Sequence, residues 1–534
     1  MNMVWKGVVG AAAAAMFVCG CYNYKAPAAA TLQDTYTERK RDAADDIFKD
    51  IKVLTLLDAQ RIAIRNNPTY IAAYHAVEAA RMRYYQAWGA YSPTIKATYE
   101  LANRHSWQRD YVNPAYPRSD KFTNGFGVSA NLLVFDGFSR YFSLKAAKSN
   151  LKYQELMEEN SCRTMMLSVA YAYNTVLLAI EERRIAMEDR KFQLDSLQNT
   201  QYKFEAGAAP LSDVLNFEIL VNNAEVKMIN ADYSYDTAIY ALAVLMGYPD
   251  GTLPADLKFS GDYKSYFAEL PAVEIYLDAA LANRPDLKAY REKLNIAKYD
   301  VYKAWGAFSP TVNAYASYGA DLNNSSTSTT AVTYGEDHVL NYGVNVDWTV
   351  FNGAIRYNKL REAQASLAAA DFGVAAQWFQ VVDEVRSAYA NYIQNVKKTK
   401  LYGRVRELSA KQRDLVDDEY RAGNAELTRL NEAQRDLVSA ETNLASSYIN
   451  VQNAKAQLDA VVGGNTAEYY LNDADKSNQE RFPGLGNLPG AIDSAKSESA
   501  APAAKAPAAN APATAPVKAA APVIPASAKA APAK

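Results

Sequence analysis

The chain has 534 residues, with 57 Lys plus Arg against 59 Asp plus Glu and a net charge of -2. Balanced charge argues against a broad nucleic-acid-binding surface, and three Cys with three His cannot build a disulfide scaffold or several metal sites. Tyr is over-used, at 38 beside 17 Phe and 6 Trp; a single apolar run disfavours a polytopic helical membrane protein but leaves open a β-barrel, whose alternating strands escape composition counts.

That apolar run opens the chain. Lys6 precedes the small, apolar stretch from Gly7 to Val18, and Cys19-Gly20-Cys21 follows. The stretch is too short and too Ala-rich for a membrane span and reads as an export signal, residues 1–20. Val18-Cys19-Gly20-Cys21 resembles a bacterial lipobox, with Cys21 as the lipidated residue. An ordinary secretory signal cut elsewhere is the competing reading. Tyr22, in place of an aspartate after the cysteine, favours sorting to the outer membrane. Residues 21–49 then form an N-terminal periplasmic segment.

An internal duplication organises the body. Ala87-Trp88-Gly89-Ala90-Tyr91-Ser92-Pro93-Thr94 recurs 217 residues later as Ala304-Trp305-Gly306-Ala307-Phe308-Ser309-Pro310-Thr311. Asn66-Asn67-Pro68 and Asn283-Arg284-Pro285 keep that shift. Val134-Phe135-Asp136-Gly137 returns as Val350-Phe351-Asn352-Gly353 at a shift of 216, as do Ala206-Gly207 with Ala422-Gly423 and Gly247 with Gly463. Such register assigns two repeats, 50–247 and 265–463, joined by a linker at 248–264.

Each repeat begins with a helix, 68–88 or 285–305, started by a proline whose missing N–H costs little there. Ser-Pro ends it and sets an extended chain. Strands are expected at 94–103 and 122–135, and again at 311–320 and 339–351. Ile95, Ala97, Tyr99 and Leu101 alternate with Lys96, Thr98 and Glu100; Val344, Val346 and Trp348 alternate with Asn345 and Asp347. This is the period-two pattern of a sheet with one apolar and one polar face. A half-buried soluble sheet would show the same alternation. The polar stretches 104–121 and 321–338 read as solvent-facing loops.

Long helices follow at 139–205 and 365–422. The first contains no Pro or Gly and would extend about 100 Å if continuous. Gly207 and Gly423 mark chain reversals, where glycine reaches positive φ cheaply. Return helices end near Gly247 and Gly463. Cys162 lies in the first long helix and reads as a core thiol. Residues 464–534 form an Ala/Pro/Lys-rich tail with a flexible composition.

Two repeats supply four strands. Four strands cannot close a barrel in lipid, because the edges would leave backbone groups unpaired. Other copies must supply the rest. The duplicated plan, Asn-x-Pro, Gly-Ala-x-Ser-Pro, Val-Phe-Asp/Asn-Gly and Gly-x-x-x-Leu, resembles the TolC-type outer membrane efflux protein family over about residues 50–463. That resemblance implies a mixed α/β membrane protein. Three copies would form a 12-stranded β-barrel, four strands from each chain, continued by a long α-helical barrel in the periplasm. It implies a passive export channel of a tripartite efflux or type I secretion system. Its partners would be a periplasmic adaptor, an inner-membrane RND or ABC transporter and the outer-membrane lipid, with no cofactor. In the resembled family acidic residues constrict the periplasmic tip shortly after the second reversal. Counting from Gly423 places those positions on Arg429 and Glu432, and Asp213 matches Arg429 in the first repeat. A ring carrying both signs could close through Arg–carboxylate pairs; solvated helix-face charges are the competing reading.

Other classes fare worse. A periplasmic coiled-coil lipoprotein would explain the long helices but not two strand pairs at equivalent places. No hydrolase elbow, phosphate loop or metal-ligand cluster marks an enzyme, and His75, His105 and His338 are scattered.

Overall fold

The computed structural model describes residues 52–107, 118–248, 251–254, 256–261, 270–327 and 330–463. The expected signal, Cys21 and the C-terminal tail lie outside the described residues. In chain order the elements are β1 (Val53–Leu54), α1 (Leu56–Asn66), α2 (Pro68–Gly89), β2 (Thr94–Trp107), β3 (Arg118–Phe135), α3 (Ser139–Glu205), α4 (Leu211–Leu245), β4 (Lys258–Phe259), α5 (Val273–Asn283), α6 (Pro285–Gly306), β5 (Thr311–Thr327), β6 (Thr330–Asp347), α7 (Ile355–Arg421) and α8 (Leu427–Val462).

The duplication is visible element by element. Each repeat runs short helix, medium helix, strand pair, 67-residue helix and return helix. The break between the first two helices has a local cause. Asn67 is extended (φ -70°, ψ 123°) ahead of Pro68, and its side-chain oxygen accepts from Thr69 N. Its amide also donates to Leu245 O at 2.9 Å. That bond ties the break to an orphan carbonyl at the end of α4.

The second repeat solves the same problem with charge. Arg284 is 1% exposed and pairs with both oxygens of Asp286. It also reaches Glu384 Oε2 on α7 at 2.5 Å. Gln377 donates to Asp286 Oδ2 at 3.1 Å, and Arg163 of α3 donates to Ala460 O at 3.0 Å beside it. Burial alone would push the Asp286 carboxyl up. Arg284, through hydrogen bonds and charge, together with Arg163, instead holds it below its ordinary value.

The main core packs β1, α1, α3 and α4 through Leu54, Ile62, Val169, Val176 and Leu242. Parallel strands β1 and β4 pair Val53 with Lys258 and Leu54 with Phe259. The Tyr173 hydroxyl anchors this small sheet, lying 2.8 Å from Leu54 O and against Ser260 O. Burial pushes that phenol up to about 12. Cys162 is buried as expected.

Three boundaries differ from those expected. The stretch 321–338 is not a loop: β5 runs to Thr327 and β6 starts at Thr330. Likewise β2 and β3 extend to Trp107 and back to Arg118. Backbone pairing continues through these polar tips, as in Asn323 with Gly335 and Ser325 with Thr333. Apolar alternation, the signal used to bound the strands, fades before the pairing does. The long second-repeat helix starts at Ile355 rather than 365 because the turn at Gly353 and Ala354 leads straight into it. Gly373 and Gly403 sit inside that helix without breaking it.

Candidate channel wall and tip

The four long strands form one antiparallel sheet in the order β2-β3-β5-β6. Register decides which side chains share a face. Tyr99 opposes Phe126, Phe126 opposes Ala320, and Ala320 opposes His338. Ala97, Val128, Tyr318 and Leu340 form the next row. Adjacent rows on this face carry Ile95 with Ala130, Ala316 and Tyr342, and Leu132 with Ala314 and Val344. The opposite face carries Lys96 with Ser129, Ser317 and Asn341, then Thr98 with Gly127, Gly319 and Val339, then Glu100 with Gly125, Asp321 and Asp337. One face is therefore mainly apolar and aromatic, and the other mainly polar and rich in glycine, with Val339 its apolar exception in these rows. Lys96, Thr98, Glu100, Asn345 and Asp347 all fall on the polar face. Asn345 Nδ2 donates to Asp347 Oδ2 at 2.6 Å. Among the described residues nothing pairs with the outer edges of β2 and β6.

The strands pass to the long helices through a clasp that the sequence reading missed. Gly137-Phe138 and Gly353-Ala354 are both left-handed pairs. Two residues on, Arg140 Nη1 donates to Ala90 O at 3.3 Å and Nη2 to Val134 O at 3.1 Å, with its guanidinium 5.0 Å from the Tyr91 ring. Arg356 repeats this with Ala307 O at 3.2 Å, Val350 O at 3.0 Å and the Phe308 ring at 5.5 Å. Each arginine thus binds the end of the entering helix to the chain where it leaves the strand pair, Val134 within β3 and Val350 three residues past β6. The signal was present, since Gly-x-x-Arg recurs at the same 216-residue shift.

At the far end of the helices, Gly207 (φ +75°) and Gly423 (φ +78°) occupy the two reversals. The Gly207 N–H closes on Phe204 O at 2.9 Å, and Gly423 N–H on Tyr420 O at 3.1 Å. A separate apolar cluster joins the two hairpins there: Phe217, Val416, Leu430 and Ala433, flanked by Phe192 and Tyr420. Above it Asp189, 3% exposed, accepts from Lys227, Gln193 and Gln434, linking α3, α4 and α8.

The tip residues do not gather into one cluster within the chain. Arg429 Nη1 donates to Glu419 Oε2 at 3.0 Å, across the second turn. Asp213 lies in the first turn of α4, where a carboxylate suits the helix N-terminus, and contacts Ser212 Oγ at 3.4 Å. Glu432 is exposed on α8. Asn431 Nδ2 donates to Asn216 Oδ1 at 3.2 Å, the hydrogen bond that bridges the two return helices near the tip. His105 pairs with Asp120, and His338 contacts the Tyr318 hydroxyl; no metal-ligating group of three occurs among the described residues.

Comparison with known proteins agrees with this architecture. The family model described as outer membrane efflux protein matches twice, at residues 60–248 and 276–464. The alkaline protease secretion protein AprF of Pseudomonas aeruginosa is 25% identical over 447 residues, covering 81% of this chain and 87% of that protein. The outer membrane protein TolC of Escherichia coli is 21% identical over 367 residues, 64% of this chain and 73% of TolC. Among solved structures, the Campylobacter jejuni CmeC outer membrane channel superposes with a TM-score of 0.65 at 16% identity, covering 79% of this chain and 89% of that one.

Proposed function

The chain belongs to the outer membrane efflux protein family, and from that premise we propose that three copies form a channel that carries cargo across the bacterial outer membrane. One observation carries this reading. The sheet has an apolar face and a polar face, and among the described residues both of its outer strands end the sheet unpaired. In lipid such edges must be paired. Three sheets of four strands joined edge to edge give a closed 12-stranded wall, with the apolar face toward lipid and the polar, glycine-rich face toward water.

The helices supply the second half of the duct. Each 67-residue helix spans about 100 Å, against about 30 Å for the hydrocarbon core of a bilayer. The excess length belongs to a helical barrel in the periplasm, with the Gly207 and Gly423 reversals at its inner tip. There a periplasmic adaptor and an inner-membrane transporter of the RND or ABC class would engage. The channel is passive, and the transporter supplies the energy. The family is channel-forming, and no catalytic step is assigned to this chain.

The remaining assignments belong to the same reading. Residues 1–20 act as the signal, and Cys21 takes the lipid anchor. Residues 50–247 and 265–463 are the two repeats, with the linker 248–264 between them and 464–534 as the Ala/Pro/Lys-rich tail. Asp213, Arg429 and Glu432 form the charged constriction of the tip. AprF is named for protease secretion, which puts secreted protein beside drugs, metal ions and solvents as a cargo class for this channel.

Planar-bilayer recording of the purified full chain tests the proposal. Discrete, stable conductance steps are expected. A preparation that inserts without conducting contradicts it.

A further inference from the structure

We propose that copies of this chain join β6 to β2 in one defined register, with Val346 of one copy facing Tyr99 of the next, and that Gly353 of the first copy stands backbone to backbone against Gly89 of the second. The inference rests on the trimeric reading above and adds to it the geometry of the joint.

The internal duplication supplies that geometry. Strand β2 maps onto β5 by a shift of 217 residues, and β3 onto β6 by 216. The sheet confirms both shifts: Thr94 pairs with Asn131, and the shifted residues Thr311 and Asp347 pair in turn. Within the chain one joint connects the repeats, β3 with β5. Moving β3 forward and β5 back by the same shifts turns that joint into a β6–β2 joint between copies. Ala130 with Ala316 becomes Val346 with Tyr99. Val128 with Tyr318 becomes Val344 with Leu101, and Leu132 with Ala314 becomes Trp348 with Ala97. On the other face, Asn131 with Tyr315 becomes Asp347 with Thr98, and Ser129 with Ser317 becomes Asn345 with Glu100.

The derived register passes a test that did not enter its derivation. In the rows nearest the helices apolar meets apolar (Val346 with Tyr99, Val344 with Leu101, Trp348 with Ala97) and polar meets polar (Asp347 with Thr98, Asn345 with Glu100); toward the strand tips the match lapses, as in Leu340 with His105. A slip of one residue would turn one strand's whole apolar set to the wrong face.

The glycines give a second, independent observation. Gly137 and Gly306 are buried against one another. A Cβ on Gly137 would lie 2.3 Å from Gly306 O, and one on Gly306 2.4 Å from Gly137 O. The same shifts carry this pair onto Gly353 and Gly89. Both are exposed in the single chain, with nothing within 4 Å of a Cβ built on either. Gly89 ends helix α2 without a positive φ, so nothing among the described residues of its own chain requires a glycine there. A neighbouring Gly353 carbonyl does.

Cysteine pairs introduced into the full chain and oxidised in the membrane test the register. Tyr99→Cys with Val346→Cys, and Leu101→Cys with Val344→Cys, should give disulfide-linked dimers and trimers. Leu101→Cys with Tyr342→Cys or with Val346→Cys, each shifted by two residues, should link at least tenfold less. Detergent-phase mass is measured on every variant. Three copies with the shifted pairs linked, or with no pair linked, overturns the register and leaves the channel reading standing. A single-copy mass with no linkage overturns both. Gly89→Ala and Gly306→Ala should each lower the temperature at which the assembly dissociates, while helix content by circular dichroism in Gly89→Ala stays at the parental level. A Gly89→Ala assembly as heat-resistant as the parent contradicts the glycine contact.

Discussion

Arg429 reaches back across the second hairpin turn and donates to Glu419 at 3.0 Å. The positions 216 residues earlier are Asp213 and Lys203, so the two repeats carry the same pair of charges with the signs exchanged. The exchange alters the contacts. Lys203 donates to Tyr420 O at 3.3 Å and lies 4.5 Å from the Tyr420 ring, crossing to the other hairpin. One reversal is therefore closed by its own ion pair, and the other is tied to its neighbour.

Arg429→Ala should change conductance without unfolding the tip. The pair is solvent-exposed, at 61% for Arg429 and 46% for Glu419, and such pairs contribute at most about 1 kcal/mol. The apolar cluster under the turn remains. Single-channel recording should show altered conductance or ion selectivity for Arg429→Ala and Glu432→Ala, with the melting temperature within a few degrees of the parent. Parental conductance in both variants would remove these residues from the gate.

Asp286→Asn should be among the most damaging substitutions outside the tip. It removes the main counter-charge from Arg284, which is 1% exposed. Breaking a buried pair from one side costs about 3–5 kcal/mol. The pH dependence follows from the lowered carboxyl value. Asp286 stabilises the fold at pH above its unfolded value, and that stability is lost as pH falls through its lower folded value. Melting in detergent from pH 6 down to pH 3 should show a decline that Asp286→Asn lacks.

Glu158 carries the opposite sign. Burial, chiefly, raises its carboxyl, against a hydrogen bond donated by Tyr70 at 2.7 Å, with Glu155 and Glu159 adding to the rise and Arg81 opposing it. Its ionisation opposes folding as pH rises from the unfolded value through the raised folded one. Glu158→Gln keeps an acceptor for Tyr70 and should raise the melting temperature at pH 7 while leaving it unchanged near pH 4. Equal effects at both pH values would show that the charge is not what matters.

Cys21→Ser tests the anchor. The parent should incorporate labelled palmitate and partition with membranes through its lipid. The variant should incorporate none. Labelling that persists in Cys21→Ser would place the acyl chain elsewhere.

Much of this architecture is legible in the sequence because its signals are local or repeated. The helix starts at Pro68 and Pro285, the reversals at Gly207 and Gly423, and the alternation around Tyr99 and Val344 all act within a few residues. The 216–217 residue shift then confirms each one a second time. What escaped notice depends on partners distant in the chain. Arg284 and Asp286 look like ordinary surface charges until Glu384, about a hundred residues away, and Gln377 close over them. The polar strand tips escaped for a different reason. Their order comes from backbone pairing, which leaves no mark on side-chain polarity. Arg140 and Arg356 were overlooked although their spacing repeats, because a lone arginine after a turn has no distinctive pattern until its carbonyl partners are known.

The central claim is that three copies of this chain build one tube. The mass of the detergent-extracted protein, measured together with low-resolution imaging of the same particles, tests it most directly. The account predicts three chains per particle and an elongated hollow tube with three-fold symmetry. A single-chain particle without a tube would contradict it.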